Sequence, residues 1–434
     1  MAIKGRKIFQ PGIKIPDMKY LTEDKPIEQM PAPKTVYISM SQGIGAAAKP
    51  IVSVGDRVKK GQKTGQADGV VSANVFASVA GTVTAIKDIQ NPNSKATTKY
   101  VVIENDFSEE EEFLPPLKEI TKETIIERIR EAGIVGLGGA GFPTAVKLSG
   151  QKPVEMLIVN GAECEPYLTC DYRLMMENSD EINKGIRYVA QALGVTDIRI
   201  GIEENKPKAI EKYKKVKDFQ LFSLKKKYPQ GSEKTLIAEC ARRKVPWGKL
   251  PIDIGVVVIN VATAFTVYQA VEKNIPLYER VLTVAGKGVD NPRNLRVRIG
   301  TKTQDIIEYC GDINKDAVKI VRGGPMMGKA MHTVDGYTKK TDSGIVVLTA
   351  EETNTSKQSA CINCGRCAKK CPMHLMSMKF DEYASIGRFD MAERFGVMNC
   401  LECGCCSFVC PAKRSIVQSV VLCKQKIAAK KGGK

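Results

Sequence analysis

Eight cysteines near the end of the chain repeat one spacing twice. The runs are Cys361-x2-Cys364-x2-Cys367-x3-Cys371-Pro372 and Cys400-x2-Cys403-x2-Cys406-x3-Cys410-Pro411. This spacing is typical of two [4Fe–4S] clusters, in which three cysteines of a run bind one cluster and the fourth binds the other. The predicted ligand sets are Cys361, Cys364, Cys367 and Cys410 for the first cluster, and Cys400, Cys403, Cys406 and Cys371 for the second.

Structural zinc and disulfide bonds are the alternatives for these cysteines. Zinc sites usually show separated C-x2-C pairs rather than runs of four, and disulfides need an oxidising compartment. The first residues are basic but lack the apolar stretch of a secretory signal. We therefore expect the 14 cysteines to lie in the reducing cytoplasm, and we interpret the chain as one that transfers electrons.

A second candidate site is the glycine-rich stretch Gly136-Leu137-Gly138-Gly139-Ala140-Gly141-Phe142-Pro143-Thr144. It matches G-x-G-x-x-G, but that pattern indicates a dinucleotide fold only directly after a strand, and here a predicted helix precedes it. Closely spaced glycines let a flavin or a phosphate approach the backbone. Pro143 suits the first position of a helix, whose free N–H groups favour an anion. A tight helix–loop–helix turn is the alternative.

Short β segments separated by glycine turns predict a β domain at residues 31–105, after an extended arm at residues 1–30. The segments Gly55-Asp56-Arg57-Val58-Lys59-Lys60-Gly61-Gln62 and Ala80-Gly81-Thr82-Val83 have a rhythm that resembles the lipoyl/biotinyl barrel-sandwich hybrid. Such domains carry their cofactor on a lysine at a hairpin tip. Because no lysine lies between Lys63 and Lys87, we predict a relative without a swinging arm.

An acidic, proline-containing linker precedes residues 117–275, where strand and helix patterns alternate. This alternation predicts an α/β domain with a mainly parallel sheet, whose ligands gather at the carboxyl ends of the strands. The predicted strands are Met156–Asn160, Ile198–Ile202, Phe219–Leu224 and Ile254–Ile259, and the predicted helices are residues 173–193, 208–216, 235–242 and 262–271.

The remaining chain divides into a β-rich part at residues 280–350, a small helical domain at 355–425 and a basic tail at 426–434. Between the cysteine runs, apolar residues recur at helical spacing and predict the core that holds the two cluster loops together. These residues are Met376, Phe380, Tyr383, Ile386, Phe389 and Phe395.

The chain of 434 residues has a formal net charge of +18. A basic surface can attract an acidic electron carrier or an anionic membrane surface, or it can simply keep the protein soluble. Nucleic acid is not expected as a partner, because no helix-turn-helix, RNA-recognition or zinc-finger pattern accompanies the charge. No apolar run is long enough to span a bilayer.

The glycine stretch with Lys147, followed by Asn160-Gly161-Ala162-Glu163-Cys164-Glu165-Pro166, resembles the flavin-binding subunit of respiratory complex I. The resemblance to the RnfC family of Rnf electron-transport complexes is closer and covers nearly the whole chain. It includes Tyr228-Pro229-Gln230-Gly231-Ser232-Glu233-Lys234, Val258-Ile259-Asn260-Val261, Gly323-Gly324-Pro325-Met326-Met327-Gly328 and both cysteine runs.

The resemblance implies a multidomain α/β and β fold. Its parts are the barrel-sandwich hybrid, a complex I flavin-subunit-like α/β FMN domain, a β-grasp (soluble-ligand-binding) domain and a helical two-[4Fe–4S] ferredoxin domain. It also implies a non-covalent FMN with NAD(H) stacked over it. The implied FMN contacts are Gly136, Gly138, Lys147, Asn160 and Asn260, with Glu163 close by; the implied dinucleotide contacts are Phe142, Glu165 and Glu233; and Gly139, Gly141, Tyr228 and Gly231 complete the predicted cofactor-binding set.

Two positions depart from the complex I pattern: Ala162 replaces an acidic residue, and Ser232 replaces the first glutamate of a doublet. The resemblance implies a peripheral subunit on the cytoplasmic face of the cell membrane. It would exchange electrons between NAD(H) and ferredoxin-type carriers through FMN and the clusters, together with the other subunits of an ion-translocating complex.

No catalytic side chain beyond the cofactors is expected, because hydride transfer demands no general acid–base residue. The alternatives are an electron-relay scaffold without flavin and the diaphorase subunit of a soluble NAD-linked dehydrogenase or hydrogenase.

Overall fold

The computed structural model describes residues 3–4, 11–90, 97–150, 152–353 and 356–432. Parts of the predicted N-terminal arm and the last two residues of the predicted tail lie outside the described residues. The described chain folds into two β units, one α/β unit and one helical unit.

The α/β unit is built on a five-stranded parallel sheet. Its central strands are runs of valine, isoleucine and leucine that are buried on both faces, which is typical of parallel sheets covered by helices. In spatial order the strands are Ile3–Lys4, Gln220–Leu224, Asp197–Glu203, Met156–Gly161 and Val256–Asn260. The helices are Lys122–Glu131, Thr144–Leu148, Cys170–Glu177, Ser179–Leu193, Pro207–Tyr213, Glu233–Cys240 and Val261–Glu272, with a 3-10 turn at Pro251–Ile254.

The strand order reverses between Met156–Gly161 and Val256–Asn260, which are neighbours in space although about a hundred residues apart. A reversal of this kind leaves a crevice at the carboxyl ends of the two strands, where ligands of open α/β sheets bind. The fold therefore directs the functional site to the residues that end these strands, Asn160 and Asn260.

The single helix predicted at 173–193 is wrong in one respect, because the structure contains two helices there. They are Cys170–Glu177 and Ser179–Leu193, and they are separated at Asn178, whose backbone is not helical (φ −126°, ψ 39°). The second helix starts with Asp180 and Glu181, which favour a helix N-terminus. It ends at the predicted place, before Gly194 in the left-handed conformation.

The β-grasp unit is a six-stranded sheet that packs its core against the helix Thr303–Tyr309. The N-terminal arm supplies one of its strands, because Ile27–Gln29 pairs in parallel with Arg293–Arg298. The arm also contains the 3-10 turn Lys19–Leu21. In spatial order the strands are Lys329–Met331, Ala317–Arg322, Gly344–Thr349, Glu279–Ala285, Arg293–Arg298 and Ile27–Gln29, and the 3-10 turn Ala350–Glu352 follows.

The barrel-sandwich unit consists of two small antiparallel sheets that enclose a core of valines, isoleucines, alanines and a methionine. The turn from Asp68 to Val71 joins two strands of the smaller sheet, and it carries no lysine. The larger sheet contains Thr35–Ser39, Thr97–Asn105, Gly81–Gln90 and Arg57–Val58, and the smaller contains Lys49–Pro50, Lys63–Gln66 and Val75–Phe76.

The helical unit holds both cysteine runs around a core that includes Phe380, Val397 and Val420. Its last helix continues through most of the segment predicted as a basic tail. The helices are Arg366–Lys370, Ser377–Ser385, Phe389–Arg394, Cys405–Phe408 and Ile416–Gly432, with a 3-10 turn at Val397–Asn399.

Candidate functional site

Four cysteines from both runs line one open cavity in the helical unit. These are Cys361, Cys364, Cys367 and Cys410, the set predicted for the first cluster. Cys361 and Cys364 are exposed, whereas Cys367 is buried. The crossed contribution of Cys410 stays a prediction, and its position in this cavity supports it.

The other four cysteines form a second, more deeply buried group. Cys371 lies near Cys403, and the charges of Cys400 and Cys406 interact with that of Cys371. Burial raises the pKa of Cys400 to about 11 and that of Cys406 to about 12. Thiolates at these positions therefore need the positive charge of bound iron.

The spacing of the sulfur atoms distinguishes a cluster from a single zinc ion. With Zn–S bonds of about 2.3 Å, four thiolates around zinc lie roughly 3.8 Å apart. Within the described ranges, the one group of three metal-binding side chains whose donor atoms all lie within 4.8 Å of one another is Glu163, Cys170 and Asp171. The cysteine runs are more open, and this fits the larger iron–sulfur cubane.

The second cysteine group packs against the α/β unit. Cys403 and Cys405 share an apolar cluster with Ile13 and Tyr228, with Met326 packed against it. The Cys405 thiol lies 3.9 Å from the Tyr228 carbonyl oxygen, and a side chain at Gly404 would meet the Met326 carbonyl at 2.9 Å. The second group thus faces the interior of the molecule, whereas the first group faces solvent.

The glycine-rich stretch forms a loop closed at its base by pairing between Val135 and Pro143. Gly138, Gly139 and Ala140 are exposed at its tip. The N–H groups from Gly138 to Gly141 donate no hydrogen bond of ordinary geometry to any described residue. Successive free N–H groups favour an anionic ligand such as a phosphate.

Asn160 and Asn260 end the two strands beside this loop, in register with each other. Gly138 lies against Asn260, because a methyl group there would come within 2.9 Å of the amide Nδ2. The Asn160 amide donates to the Gly231 carbonyl (2.8 Å) and the Asn260 amide to Asp171 Oδ2 (2.6 Å). The structure therefore brings the predicted glycine, asparagine and Gly231 positions together.

Asp171 was not predicted, although it is part of this site. Its Oδ1 is buried and has no hydrogen-bond partner in the described parts of the chain. An unpaired buried acceptor beside a row of free N–H donors fits a bound polar cofactor better than a closed core. No spacing in the sequence distinguishes Asp171 from other helix-starting aspartates.

Lys147 and Glu233 form an ion pair across the site. Lys147 Nζ lies 3.0 Å from Glu233 Oε1, and both side chains are partly exposed. The same ammonium donates to the Val258 carbonyl at 2.8 Å. A predicted FMN contact and a predicted dinucleotide contact are thus neighbours.

Glu163 is buried beneath the site and accepts hydrogen bonds from the backbone N–H groups of Asp171 (2.7 Å) and Tyr172 (3.2 Å). Burial raises the pKa of Glu163 to about 7. The buried Lys19 ammonium lies 4.0 Å from it. Glu163 therefore supports the start of the helix Cys170–Glu177, close to the predicted flavin contacts.

Glu165 binds the glycine-rich turn of the β-grasp unit. Its carboxylate accepts hydrogen bonds from the N–H groups of Met326 (3.1 Å) and Met327 (2.9 Å) and from the Tyr228 hydroxyl (3.3 Å). Burial raises the pKa of Glu165 to about 7. Glu165 and the buried Tyr228 lie between the α/β unit and the second cysteine group, and their predicted role as cofactor contacts stays a prediction.

The three remaining predicted positions lie on the same loop. Gly136 donates its N–H to the Phe142 carbonyl (2.9 Å). The Phe142 side chain is 37% exposed, as stacking on a ligand requires. Gly139 has open space where a side chain would begin, whereas Gly141 has a left-handed backbone (φ +73°) and close neighbours.

Four family models match the chain in the predicted order. They are the RnfC barrel sandwich hybrid domain at residues 7–108, the Nuo51 FMN-binding domain at 129–269, the SLBB domain at 281–330 and the 4Fe-4S dicluster domain at 360–413. The predicted fold class is confirmed by these matches and by the sheets and helices described above.

The chain is also similar to whole proteins of known designation, each the C-subunit of a membrane redox complex. It is 45% identical to that of the proton-translocating ferredoxin:NAD(+) oxidoreductase complex of Clostridium ljungdahlii, over 95% of this chain and 93% of that one. It is 39% identical to that of the Na(+)-translocating ferredoxin:NAD(+) oxidoreductase complex of Acetobacterium woodii, over 98% of each chain. It is 40% identical to that of the ion-translocating oxidoreductase complex of Rhodobacter capsulatus, over 98% of this chain and 84% of that one.

Proposed function

Because this chain belongs to the RnfC family, the C-subunits of ion-translocating ferredoxin:NAD(+) oxidoreductase complexes, we propose that it exchanges electrons between NAD(H) and a ferredoxin-type carrier. The observation that supports this most directly is the open crevice that joins the glycine loop, Asn160, Asn260 and the Lys147–Glu233 pair. When bound, FMN and the two clusters supply the redox chemistry, because a flavin accepts an electron pair and clusters pass single electrons.

The residues of the crevice divide the work of binding. Free N–H groups of the glycine loop and the Lys147 ammonium favour the negative charge of FMN. The exposed Phe142 ring offers a stacking surface, and the partly exposed Glu233 carboxylate accepts hydrogen bonds from a ribose or carboxamide. Glu165 and Tyr228 position the β-grasp turn beside the second cysteine group.

We assign the second cluster to the flavin side and the first cluster to the partner side. The second group is buried against Tyr228 and Ile13, whereas Cys361, Ile362 and Cys364 are exposed. Basic side chains surround this exposed loop and suit an acidic electron carrier. The exposed ones include Arg366, Lys369, Lys370 and Lys413.

The chain acts as a peripheral subunit at the cytoplasmic face of the membrane in this proposal. Among the described residues, no helix is both long and apolar enough to cross a bilayer. Ion translocation is then carried out by other subunits of the complex, with which this chain exchanges electrons.

Flavin and iron content, with NADH-driven reduction, test the proposal on the anaerobically purified full chain. We expect roughly one FMN and two [4Fe–4S] clusters per chain, and bleaching of both chromophores on addition of NADH. Full cluster occupancy without flavin, and no bleaching by NADH, would instead support the electron-relay scaffold. Copurification with integral membrane proteins would separate the proposal from a soluble diaphorase.

Replacing Glu233 by glutamine is expected to raise the KM for NADH by roughly tenfold without weakening FMN binding. The reason is that a charged acceptor to the dinucleotide is lost, while Lys147 loses the carboxylate that competes with FMN. Steady-state NADH oxidation with an artificial acceptor and FMN titration measure the two effects. Glu239→Gln, on the same helix, is the matched control and should leave KM unchanged. An unaltered KM in Glu233→Gln would remove Glu233 from the dinucleotide site.

A further inference from the structure

The barrel-sandwich unit contacts the glycine loop directly through its turn Gln42–Ile44. The Ile44 N–H donates a hydrogen bond to the Ala140 carbonyl (2.9 Å). Gly43 lies so close to Gly141 that a methyl group on Gly43 would come within 2.4 Å of the Gly141 carbonyl oxygen. The tip of the glycine loop is therefore packed, backbone against backbone, on a different unit of the chain.

This contact sets the orientation of a peptide group in the loop. In a trans peptide the C=O and the following N–H point in opposite directions. Because the Ala140 carbonyl points to Ile44, the Gly141 N–H points away from the barrel-sandwich turn. Gly141 has a left-handed backbone, and its N–H is one of the donors without a partner among the described residues.

Lys340 of the β-grasp unit fastens the same two parts of the chain together. Its Nζ donates to the carbonyls of Asn74 (2.6 Å) and Gly133 (2.7 Å), and its backbone N–H donates to Gln42 Oε1 (3.0 Å). Lys340 is 1% exposed and has no ion-pair partner in the described part of the chain. A buried ammonium that is held only by carbonyls indicates a structural role in joining the backbones.

The base and the tip of the glycine loop are anchored from the same side. Gly133 precedes the loop and is held by Lys340. The next residue, Thr341, touches the tip, because a methyl group on Gly141 would come within 2.6 Å of Thr341 Cγ2. The loop thus has a fixed outer wall made of the barrel-sandwich and β-grasp units.

We propose that the barrel-sandwich turn Gln42–Ile44, fastened by Lys340, is a positioning device that holds the glycine loop in its flavin-binding shape. The proposal rests on the proposed function and assigns a role in cofactor binding to a unit that has lost the lysine of its carrier-type relatives. Gly43 and Lys340 are positioning residues, because they act through Ala140, Gly141 and Gly133.

A single methyl group on Gly43 tests the proposal. Gly43 does not have a left-handed backbone, so Gly43→Ala pushes the turn and the glycine loop apart without imposing strain within the turn itself. We expect the Kd for FMN to rise about tenfold or more, measured by flavin fluorescence quenching on the flavin-depleted full chain. Iron content should stay that of the unaltered chain.

Gly65→Ala is the matched control, because it adds the same methyl group inside the same unit. There the methyl would meet Met40 Sδ at 2.8 Å and would not touch the glycine loop. We expect Gly65→Ala to lower the thermal midpoint of the barrel-sandwich unit while the Kd for FMN stays within twofold of its original value. Equal losses of FMN affinity in both variants would mean that only the stability of the unit matters, and this would overturn the proposal.

Lys340→Met provides a second test if Gly43→Ala does not yield a folded chain. It removes both hydrogen bonds of the ammonium at similar side-chain volume, and the expected result is again weaker FMN binding with retained iron. Unchanged FMN affinity in whichever of the two variants folds would overturn the positioning role. Failure of the unaltered chain to bind FMN would contradict the proposed function instead, so the two failures are distinguishable.

Discussion

Replacing Cys371 by alanine is expected to remove the second cluster and to leave the first. Cys371 belongs to the first cysteine run in the sequence, but it lies with Cys400, Cys403 and Cys406 in the structure. A cubane that loses one of four thiolates is destabilised, whereas the first cavity keeps all four of its cysteines. Iron analysis should fall from about eight to about four ions per chain.

The reciprocal variant and a bystander cysteine make this result specific. Cys410→Ala should empty the first cavity and spare the second group, although Cys410 belongs to the second run. Cys405→Ala should keep both clusters, because Cys405 lies outside both predicted ligand sets. If Cys371→Ala removed the cluster formed by its own run, the crossed ligand sets would be wrong.

The same pair of variants tests the order of the two clusters. In Cys371→Ala the remaining cluster is on the partner side, so NADH should no longer reduce it, whereas dithionite should. In Cys410→Ala the remaining cluster is next to the α/β unit and should still be reduced by NADH. EPR spectra after each reductant measure this difference, and NADH reduction of the remaining cluster in both variants would contradict the assigned order.

The sequence predicted those parts of the molecule that short segments determine. The cysteine runs and their proline residues indicate local loops, and the valine- and isoleucine-rich runs indicate buried parallel strands. The split at Asn178 was missed because the apolar spacing continues through both helices, whereas the interruption is a local change of backbone conformation.

Contacts between distant segments could not be read from the sequence. Nothing near Lys19 indicates that its ammonium lies 4.0 Å from Glu163, and nothing near Gly43 indicates that it lies against Gly141. The motif around Glu165 suggested a ligand contact, yet its carboxylate binds the turn at Met326 and Met327. Such contacts depend on how units pack, and one sequence contains little information about unit packing.

Replacing Gly139 by valine is expected to weaken FMN binding by roughly ten- to a hundredfold without lowering the stability of the flavin-free chain. Within 4 Å of a side chain that began at Gly139 there is no protein atom, and its backbone is not left-handed. Added carbons therefore enter only the space above the loop, where we place the flavin. Fluorescence titration with FMN and thermal unfolding of the flavin-depleted chain measure the two quantities.

Gly138→Ala is the contrasting variant, because the neighbouring glycine has no such space. A methyl group there would come within about 3 Å of three atoms of the Asn260 side chain, so both stability and FMN affinity should fall. The comparison separates a loop that is tight for its own packing from one that is open for a ligand. If Gly139→Val kept full FMN affinity, the open side of the loop would not contact the flavin, and Asn160 and Asn260 would have to hold it from the sheet side alone.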